Sequence, residues 1–279
     1  MTERTIKSVT DSLEADNRML PYLPYLLQDL WSMGCSLDQI ISVVGTLMFP
    51  SENVNALDLG CGKGAVAINI AFKYGFNVTG IDAMQEFLDE ANLKASEYNV
   101  SHLCSFINED IYDFIKVNRD YDLVVFASLG GILGSTTETV GKLRTQVKPG
   151  GYIIVDDAYL KSESIPKRKG YEYCLSYSET KNALTAFGDV IVQQINTTGV
   201  NEKINQEYLT LIKNHATELI TMNPELEKFV TAYVDNQAVE CSFINNYLEG
   251  ALWIVQKREI HYLNKIIFFV IVLFLVESL

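Results

Sequence analysis

The sequence is short of positive charge, and this limits the kind of partner that the chain can bind. Its 279 residues include 22 lysines and arginines against 35 aspartates and glutamates, which gives a formal net charge of −13. A protein that follows a phosphate backbone needs a basic surface. We therefore expect no nucleic-acid partner.

Cysteine and histidine are scarce, and both are scattered along the chain. The five cysteines form no CxxC pair, so they predict neither a disulfide framework nor a zinc site. The three histidines lie far apart and form no pattern of metal ligands. A Gly-x-Ser-x-Gly nucleophile elbow is missing, and the polar, charged N-terminus does not read as a signal peptide. We expect no metal and a cytoplasmic location.

The chain also lacks an apolar run long enough to cross a membrane. Residues 266–276 are 11 consecutive apolar residues near the C-terminus, whereas a membrane-spanning helix needs about 20. We interpret residues 259–279 as a packed or partner-binding tail. Contact with a membrane through this tail is the alternative interpretation.

One stretch, residues 54–75, organises the rest of the chain. A short apolar run, 56–59, is followed by glycines at positions 60, 62 and 64 and then by a helix-compatible run. A strand, a glycine turn and a helix are the start of a βαβ unit. A turn without side chains lets a ligand lie against the backbone, and the helix start presents unpaired N–H groups there.

The next predicted strand, 76–82, ends in an acid. Asp82 lies 18 positions after Gly64, and an acid at this place accepts hydrogen bonds from the two hydroxyls of a ribose. The sequence therefore predicts an adenosine-containing ligand across the tips of the first two strands.

The spacing Asp58-x-Gly60-x-Gly62-x-Gly64 resembles motif I of the class I S-adenosylmethionine-dependent methyltransferases. The rival is a nicotinamide-dinucleotide domain, because Gly60-x-Gly62-x-x-Ala65 satisfies its looser fingerprint. Asp58 favours the methyltransferases, in which an acid before the turn lies near the amino group of the methionine. A helix followed by Pro-Gly-Gly and an apolar strand, residues 136–157, adds to the resemblance.

The resemblance covers about residues 54–155 and implies S-adenosylmethionine as the methyl donor and S-adenosylhomocysteine as the product. It places Asp110 at the adenine amino group and the N–H of Ile111 at a ring nitrogen, although Asp110 also suits a helix N-cap. The predicted cofactor-binding residues are Asp58, Gly60, Cys61, Gly62, Gly64, Asp82, Ala83, Asp110, Ile111 and Ser128.

The predicted fold is an α/β, Rossmann-like, doubly wound sheet of seven mostly parallel strands with helices on both faces. We divide the chain into an N-terminal helical cap at 1–50, a methyltransferase domain at 51–258 and the tail. A helical lid is inserted before the last strand, at about 197–248. The expected strands are 56–59, 76–82, 103–107, 121–127, 152–157, 189–195 and 251–256.

Methyl transfer by in-line displacement needs mainly proximity, and it needs a base only where the acceptor carries a proton. Asp156 and Asp157 are our candidates for a base or a substrate clamp, with ordinary solvation at a strand end as the alternative. Neighbours on a strand point to opposite faces, so at most one of them should face the pocket. The acidic charge and the lid favour a small or cationic acceptor.

Two other functions remain open at this point. One is an NAD-dependent oxidoreductase, for which Tyr177 and Lys181 have the spacing of a catalytic pair, although chance explains that spacing better and the glycine turn lacks the Thr-Gly-x-x-x-Gly-x-Gly of the dehydrogenases that use this pair. The other is a non-catalytic module that binds S-adenosylmethionine.

Overall fold

A computed structural model describes residues 1–162 and 166–258. The strands within these residues form one seven-stranded sheet in the order β3-β2-β1-β4-β5-β7-β6. Only β7 runs antiparallel to its neighbours. The predicted fold class is therefore confirmed. The strands are β1 Asn55–Leu59, β2 Asn77–Asp82, β3 Cys104–Asn108, β4 Tyr121–Ala127, β5 Val147–Leu160, β6 Val190–Asn196 and β7 Leu248–Gln256.

Helices cover both faces of this sheet. Alternate residues of a strand point to opposite faces, so Val125 of β4 joins one core cluster and its neighbour Val124 joins the other. The near-continuous apolar sequence of β4 follows from this double burial. The α-helices are α1 Glu3–Ser12, α2 Leu23–Leu26, α3 Leu37–Val44, α4 Ala65–Tyr74, α5 Gln85–Glu97, α6 Ile111–Phe114, α7 Thr136–Leu143, α8 Tyr177–Leu184, α9 Thr198–Met222 and α10 Glu227–Tyr247.

The N-terminal segment is less regular than its leucine spacing predicts. The pattern at 19–31 indicates one helix, but the chain forms a 3₁₀ helix at Asn17–Tyr22 and then the single turn α2. Pro21 and Pro24 account for the break, because each lacks an N–H and restrains the residue before it. Leu23, Leu26, Leu27 and Leu30 are nevertheless buried, as their spacing predicts.

The helices predicted before the last strand form a pair. The helices α9 and α10 pack against each other and are joined at Asn223 and Pro224, and β7 follows α10 directly. No helix of the described residues is long and apolar enough to cross a membrane. The predicted tail, 259–279, lies outside the described residues, and the division into cap, domain and tail stays a prediction.

Candidate active site

The glycine turn after β1 brings bare backbone to the carboxyl ends of the strands. Gly60 and Gly62 have φ angles of +66° and +50°, a region that favours glycine. A Cβ atom at Gly60 would lie 2.6 Å from the Leu129 side chain, and one at Gly62 would lie 2.9 Å from the sulfur of Met33. Both positions therefore favour glycine because of their backbone conformation, and a side chain there would also displace Leu129 or Met33.

A cavity lies beside this turn, and the predicted cofactor residues other than Gly64 border it. Gly64 is instead the N-cap of α4, with a φ of +75°. A Cβ atom there would meet the Phe106 ring at 2.9 Å, so this glycine allows α4 to pack closely. The residues brought together at the cavity are Asp58, Gly60, Cys61, Gly62, Asp82, Ala83, Asp110, Ile111 and Ser128.

Asp58 carries a buried carboxyl group that has no cationic partner among the described residues. Its Oδ2 atom accepts a hydrogen bond from the Ala67 N–H at 3.1 Å, and only 3 % of the residue is exposed. Burial raises the pKa of this carboxyl to about 7. The site fits a ligand that brings a positive charge, such as the ammonium group of an amino acid.

Asp82 is fixed at the tip of β2 by backbone donors. Its Oδ2 accepts from the Gly62 N–H at 2.9 Å, and its Oδ1 accepts from the Met84 N–H at 2.9 Å. Burial raises the pKa of this carboxyl, and the backbone donors act in the opposite direction. The carboxylate borders the cavity with lone pairs left over, which fits a ligand that donates hydroxyl hydrogens.

Asp110 is the N-cap of α6, as its sequence position allowed. Its side chain accepts from the Tyr112 N–H at 2.9 Å. It also accepts from the Thr5 hydroxyl at 2.9 Å and from Arg4 at 3.3 Å. Asp110 thus joins the cavity wall to helix α1.

Helix α1 covers the cavity; the predicted cap at 1–50 includes its residues, but the mostly polar stretch 1–17 was not assigned a helix of its own. Thr5, Ser8, Val9 and Leu13 all border the cavity. The apolar residues at 6, 9 and 13 are spaced as one helical face, and the Thr2 side chain caps the helix by accepting from the Thr5 N–H. This spacing and this cap are the signals that could have revealed the helix.

Lys63, within the glycine turn, connects this turn to the N-terminal segment by hydrogen bonds. Its side chain is fully buried. The ammonium group donates to the carbonyls of Leu27 and Gln28 at 2.8 and 2.9 Å and pairs with Glu90 at 2.8 Å. The Trp31 ring N–H donates to the Lys63 carbonyl at 3.0 Å. The turn and the N-terminal segment therefore form one unit.

A second and larger cavity adjoins the first. It measures about 620 Å³, against about 130 Å³ for the first, and this lies within the ~300–1,000 Å³ of small-molecule sites. The two cavities share wall residues from α1 and from the end of β4, which include Ser8, Ser128 and Leu129. The insertion contributes Asn201, from α9, and further residues of α9 and α10.

Asp156 and Asp157 both border this second cavity, whereas strand alternation predicted that at most one would. The cavity lies across the strand ends, so it reaches residues of both faces. Asp156 holds the N-terminal segment, since it accepts from the N–H of Ser36 at 2.6 Å and from the Ser36 hydroxyl at 3.2 Å. Burial raises its pKa to about 7.

Asp157 is partly exposed and faces a tyrosine. The Tyr173 hydroxyl donates to its Oδ1 at 2.9 Å, and the Ala158 N–H donates to the same oxygen at 2.8 Å. Burial raises the pKa of Asp157 to about 6. The Tyr173 ring lies against Gly131, where a Cβ atom would be 2.5 Å from it. A glycine at that position is thus needed to seat the ring.

Comparison with known proteins agrees with this geometry. Residues 50–262 match a family whose description is "Methyltransferase domain".

The chain belongs to this methyltransferase family.

Curated relatives are similar to part of the methyltransferase chain. It is 32 % identical over 121 residues to a ubiquinone biosynthesis O-methyltransferase of Rickettsia bellii, a match covering 43 % of this chain and 48 % of that protein. The chain thus spans about half the length of the curated relatives that it matches.

Two solved S-adenosylmethionine-dependent methyltransferases, both in complex with S-adenosylhomocysteine, share the fold. The Geobacter sulfurreducens protein is 21 % identical, with a TM-score of 0.68 over 79 % of this chain and 91 % of that one. The Thiobacillus denitrificans protein is 19 % identical, with a TM-score of 0.70 over 85 % and 98 %. The family match confirms the predicted methyltransferase family, and the two structures confirm the predicted fold.

The residues that favoured an oxidoreductase lie elsewhere in the methyltransferase chain. Tyr177 is 41 % exposed, and its hydroxyl donates to Gln194 at 2.9 Å. Lys181 lies over the Tyr177 ring at 5.3 Å. Neither residue borders either of the two cavities described above. Tyr177 and Lys181 are therefore neighbours on the surface of α8, and their spacing gives no support to hydride transfer.

Proposed function

We propose that this chain transfers the methyl group of S-adenosylmethionine to a small-molecule acceptor by in-line displacement. The observation that carries the proposal is the pair of adjoining cavities at the carboxyl ends of β1, β2 and β4. One cavity is bordered by the cofactor residues of the methyltransferase motif. The other is large enough for a small acceptor, and the shared wall brings acceptor and methyl group together.

The residues of the first cavity fit the parts of S-adenosylmethionine. The Asp58 carboxylate would pair with the methionine ammonium, and the glycine turn would lie against the same amino-acid portion. Asp82 would accept from the ribose hydroxyls. Asp110 and the Ile111 N–H would bind the adenine, with α1 covering it. The cofactor supplies an electrophilic methyl group on a sulfonium, so the protein has mainly to align the acceptor.

We assign to Asp157 the role of the base that removes a proton from the acceptor. Its Oδ1 is occupied by Tyr173 and Ala158, and its Oδ2 has no hydrogen-bond partner among the described residues. A carboxyl with a pKa of about 6 is ionised at neutral pH and is poised to accept a proton. Asp156 has a positioning role instead, because Ser36 occupies both of its oxygens.

We also place this function in the cytoplasm. All five cysteines are free in the structure, as is usual in a reducing compartment.

The test uses S-adenosylmethionine with a trideuterated methyl group. The protein is incubated with this donor and with separate metabolite, protein and nucleic-acid fractions of a cell extract, and each fraction is analysed by mass spectrometry. We expect label in the metabolite fraction that depends on the protein and is lost in an Asp82→Ala variant. Label confined to protein or nucleic acid would contradict a small-molecule acceptor. Tight cofactor binding with no label anywhere would favour the non-catalytic module.

A further inference from the structure

The wall of the second cavity contains two tyrosine–carboxylate pairs side by side. The Tyr173 hydroxyl donates to Asp157 at 2.9 Å, and the Tyr171 hydroxyl donates to Glu240 at 2.6 Å. The two tyrosine rings are stacked, with centroids 6.3 Å apart and an angle of 27° between their planes. All four residues border the cavity. One wall therefore presents aromatic rings and carboxyl groups together.

Each carboxyl group in these pairs keeps an oxygen available. Tyr171 bonds only Oε1 of Glu240, and the two donors to Asp157 share Oδ1. The second oxygens have no hydrogen-bond partner within residues 1–162 and 166–258. The tyrosine hydroxyls hold the two carboxylates in place by hydrogen bonds and do not neutralise their charge.

The charges around the cavity do not balance. Five carboxyl groups border it, and two of them have a cation: Asp11 pairs with Lys7, and Glu14 pairs with Arg168. Arg4, the remaining cation in the wall, pairs with Asp110 and Asp113. The carboxyl groups that form no ion pair in the described part of the chain are Asp156, Asp157 and Glu240.

Burial makes this imbalance costly. It raises the pKa of Asp156 to about 7 and that of Asp157 to about 6, and it also raises the pKa of Glu240. A bound cation would favour the ionised form of these groups, and tyrosine faces attract organic cations in addition. A neutral or anionic ligand would leave the carboxyl groups uncompensated.

We propose that the acceptor is an organic amine that enters this cavity as its ammonium cation and is held by the Tyr173–Asp157 and Tyr171–Glu240 pairs. This inference rests on the methyltransferase function proposed above, and it names the class of acceptor for the same site.

Methyl transfer to such an acceptor can be written with the residues present, with every proton and electron pair accounted for. The ammonium gives one proton to the Asp157 carboxylate, which frees the nitrogen lone pair. The nitrogen forms a bond to the methyl carbon while the carbon–sulfur bond breaks, and that electron pair stays on sulfur. The products are S-adenosylhomocysteine, the methylated ammonium and a protonated Asp157, which returns its proton to solvent.

The test compares two probes of the same shape that differ in charge. Choline and 3,3-dimethylbutan-1-ol are titrated into the protein saturated with S-adenosylhomocysteine, and heats of binding are measured. We expect choline to bind at least about tenfold more tightly, because a desolvated cation is attracted to carboxylates and to the faces of aromatic rings. We expect Asp157→Asn and Glu240→Gln each to remove most of this preference and to leave the affinity for the neutral alcohol within about twofold.

Asp11→Asn is the matched control, since Lys7 already neutralises that carboxylate in the same wall; this variant should keep the preference for choline. Equal affinities for the two probes, or no choline binding in a protein that binds S-adenosylhomocysteine, would overturn the amine assignment alone. Failure to bind S-adenosylhomocysteine would instead overturn the proposed function.

Discussion

At the scale of single residues, the ionisation of Asp58 should control cofactor affinity. Burial raises the pKa of this carboxyl to about 7. A bound ammonium favours the carboxylate, so affinity should be full above pH 7 and should fall as the carboxyl becomes protonated. We expect the dissociation constant of S-adenosylhomocysteine, measured by calorimetry, to rise about tenfold from pH 8 to pH 6.

An Asp58→Asn variant provides the control for this pH dependence. It should bind more weakly at pH 8 and show a nearly flat profile over the same range. If it kept the slope of the unchanged protein, another group would be responsible.

A second residue-scale prediction concerns Asp82. Replacing it with alanine removes the proposed ribose acceptor and the partner of the Gly62 and Met84 N–H groups. A charge-assisted hydrogen bond contributes ~1.5–3 kcal/mol, so affinity for S-adenosylmethionine should fall by at least about tenfold. Asp120→Ala, at an exposed acid, is the matched control and should bind normally. A loss below about threefold for Asp82→Ala would remove the ribose assignment.

Some residues of the site can be identified from the sequence, and others cannot. The positions of Asp58 and Asp82 at the first cavity are predictable because both follow from a spacing within one βαβ unit. Lys63 is not, since nothing local says that its ammonium group will meet carbonyls 35 and 36 positions earlier. Tyr173 is missed for the same reason, because its partner Asp157 belongs to a different element.

At the scale of elements, Lys63 should make a large contribution to stability. Lys63→Met keeps the volume of the side chain but leaves the Leu27 and Gln28 carbonyls unpaired. Such losses cost ~1–3 kcal/mol for each buried group, so we expect the free energy of unfolding to fall by about 2–4 kcal/mol in urea. Lys94→Met, which removes an exposed pair with Glu97, should cost less than ~1 kcal/mol. Similar losses in both variants would refute the structural role of Lys63.

Helix α1 should act as a cover for the cofactor rather than as part of the core. It meets Asp110 through Thr5 and Arg4 and borders both cavities. Deleting residues 1–12 should therefore weaken binding of S-adenosylhomocysteine by at least about tenfold and leave most of the far-ultraviolet circular dichroism in place. Unchanged affinity in the shortened protein would show that α1 does not close the site.

The element boundaries show where sequence patterns are sufficient. Strand β4 is predicted at its observed limits because its apolar run ends at polar and glycine residues. Strand β5 is longer than predicted, since pairing with β7 continues to Leu160 and Leu248. That pairing depends on the insertion placing β7 alongside β5, which a local pattern does not contain.

At the scale of the whole molecule, the sheet and the proposed cofactor half of the site could be predicted from the sequence. Both arise from alternating strands and helices, whose order follows from short connections. The acceptor half was not, because α1, the segment at 166–176 and the insertion meet only in the folded chain. Arg168 and Glu14, for example, are 154 positions apart.

The most direct test of the account is a parallel calorimetric titration of the protein with S-adenosylhomocysteine and with NAD. The two ligands share adenosine and differ in the portion that Asp58 and the glycine turn would hold. The account predicts binding of S-adenosylhomocysteine with a micromolar dissociation constant, about −8 kcal/mol, and no measurable binding of NAD. Binding of NAD alone would contradict the methyltransferase site.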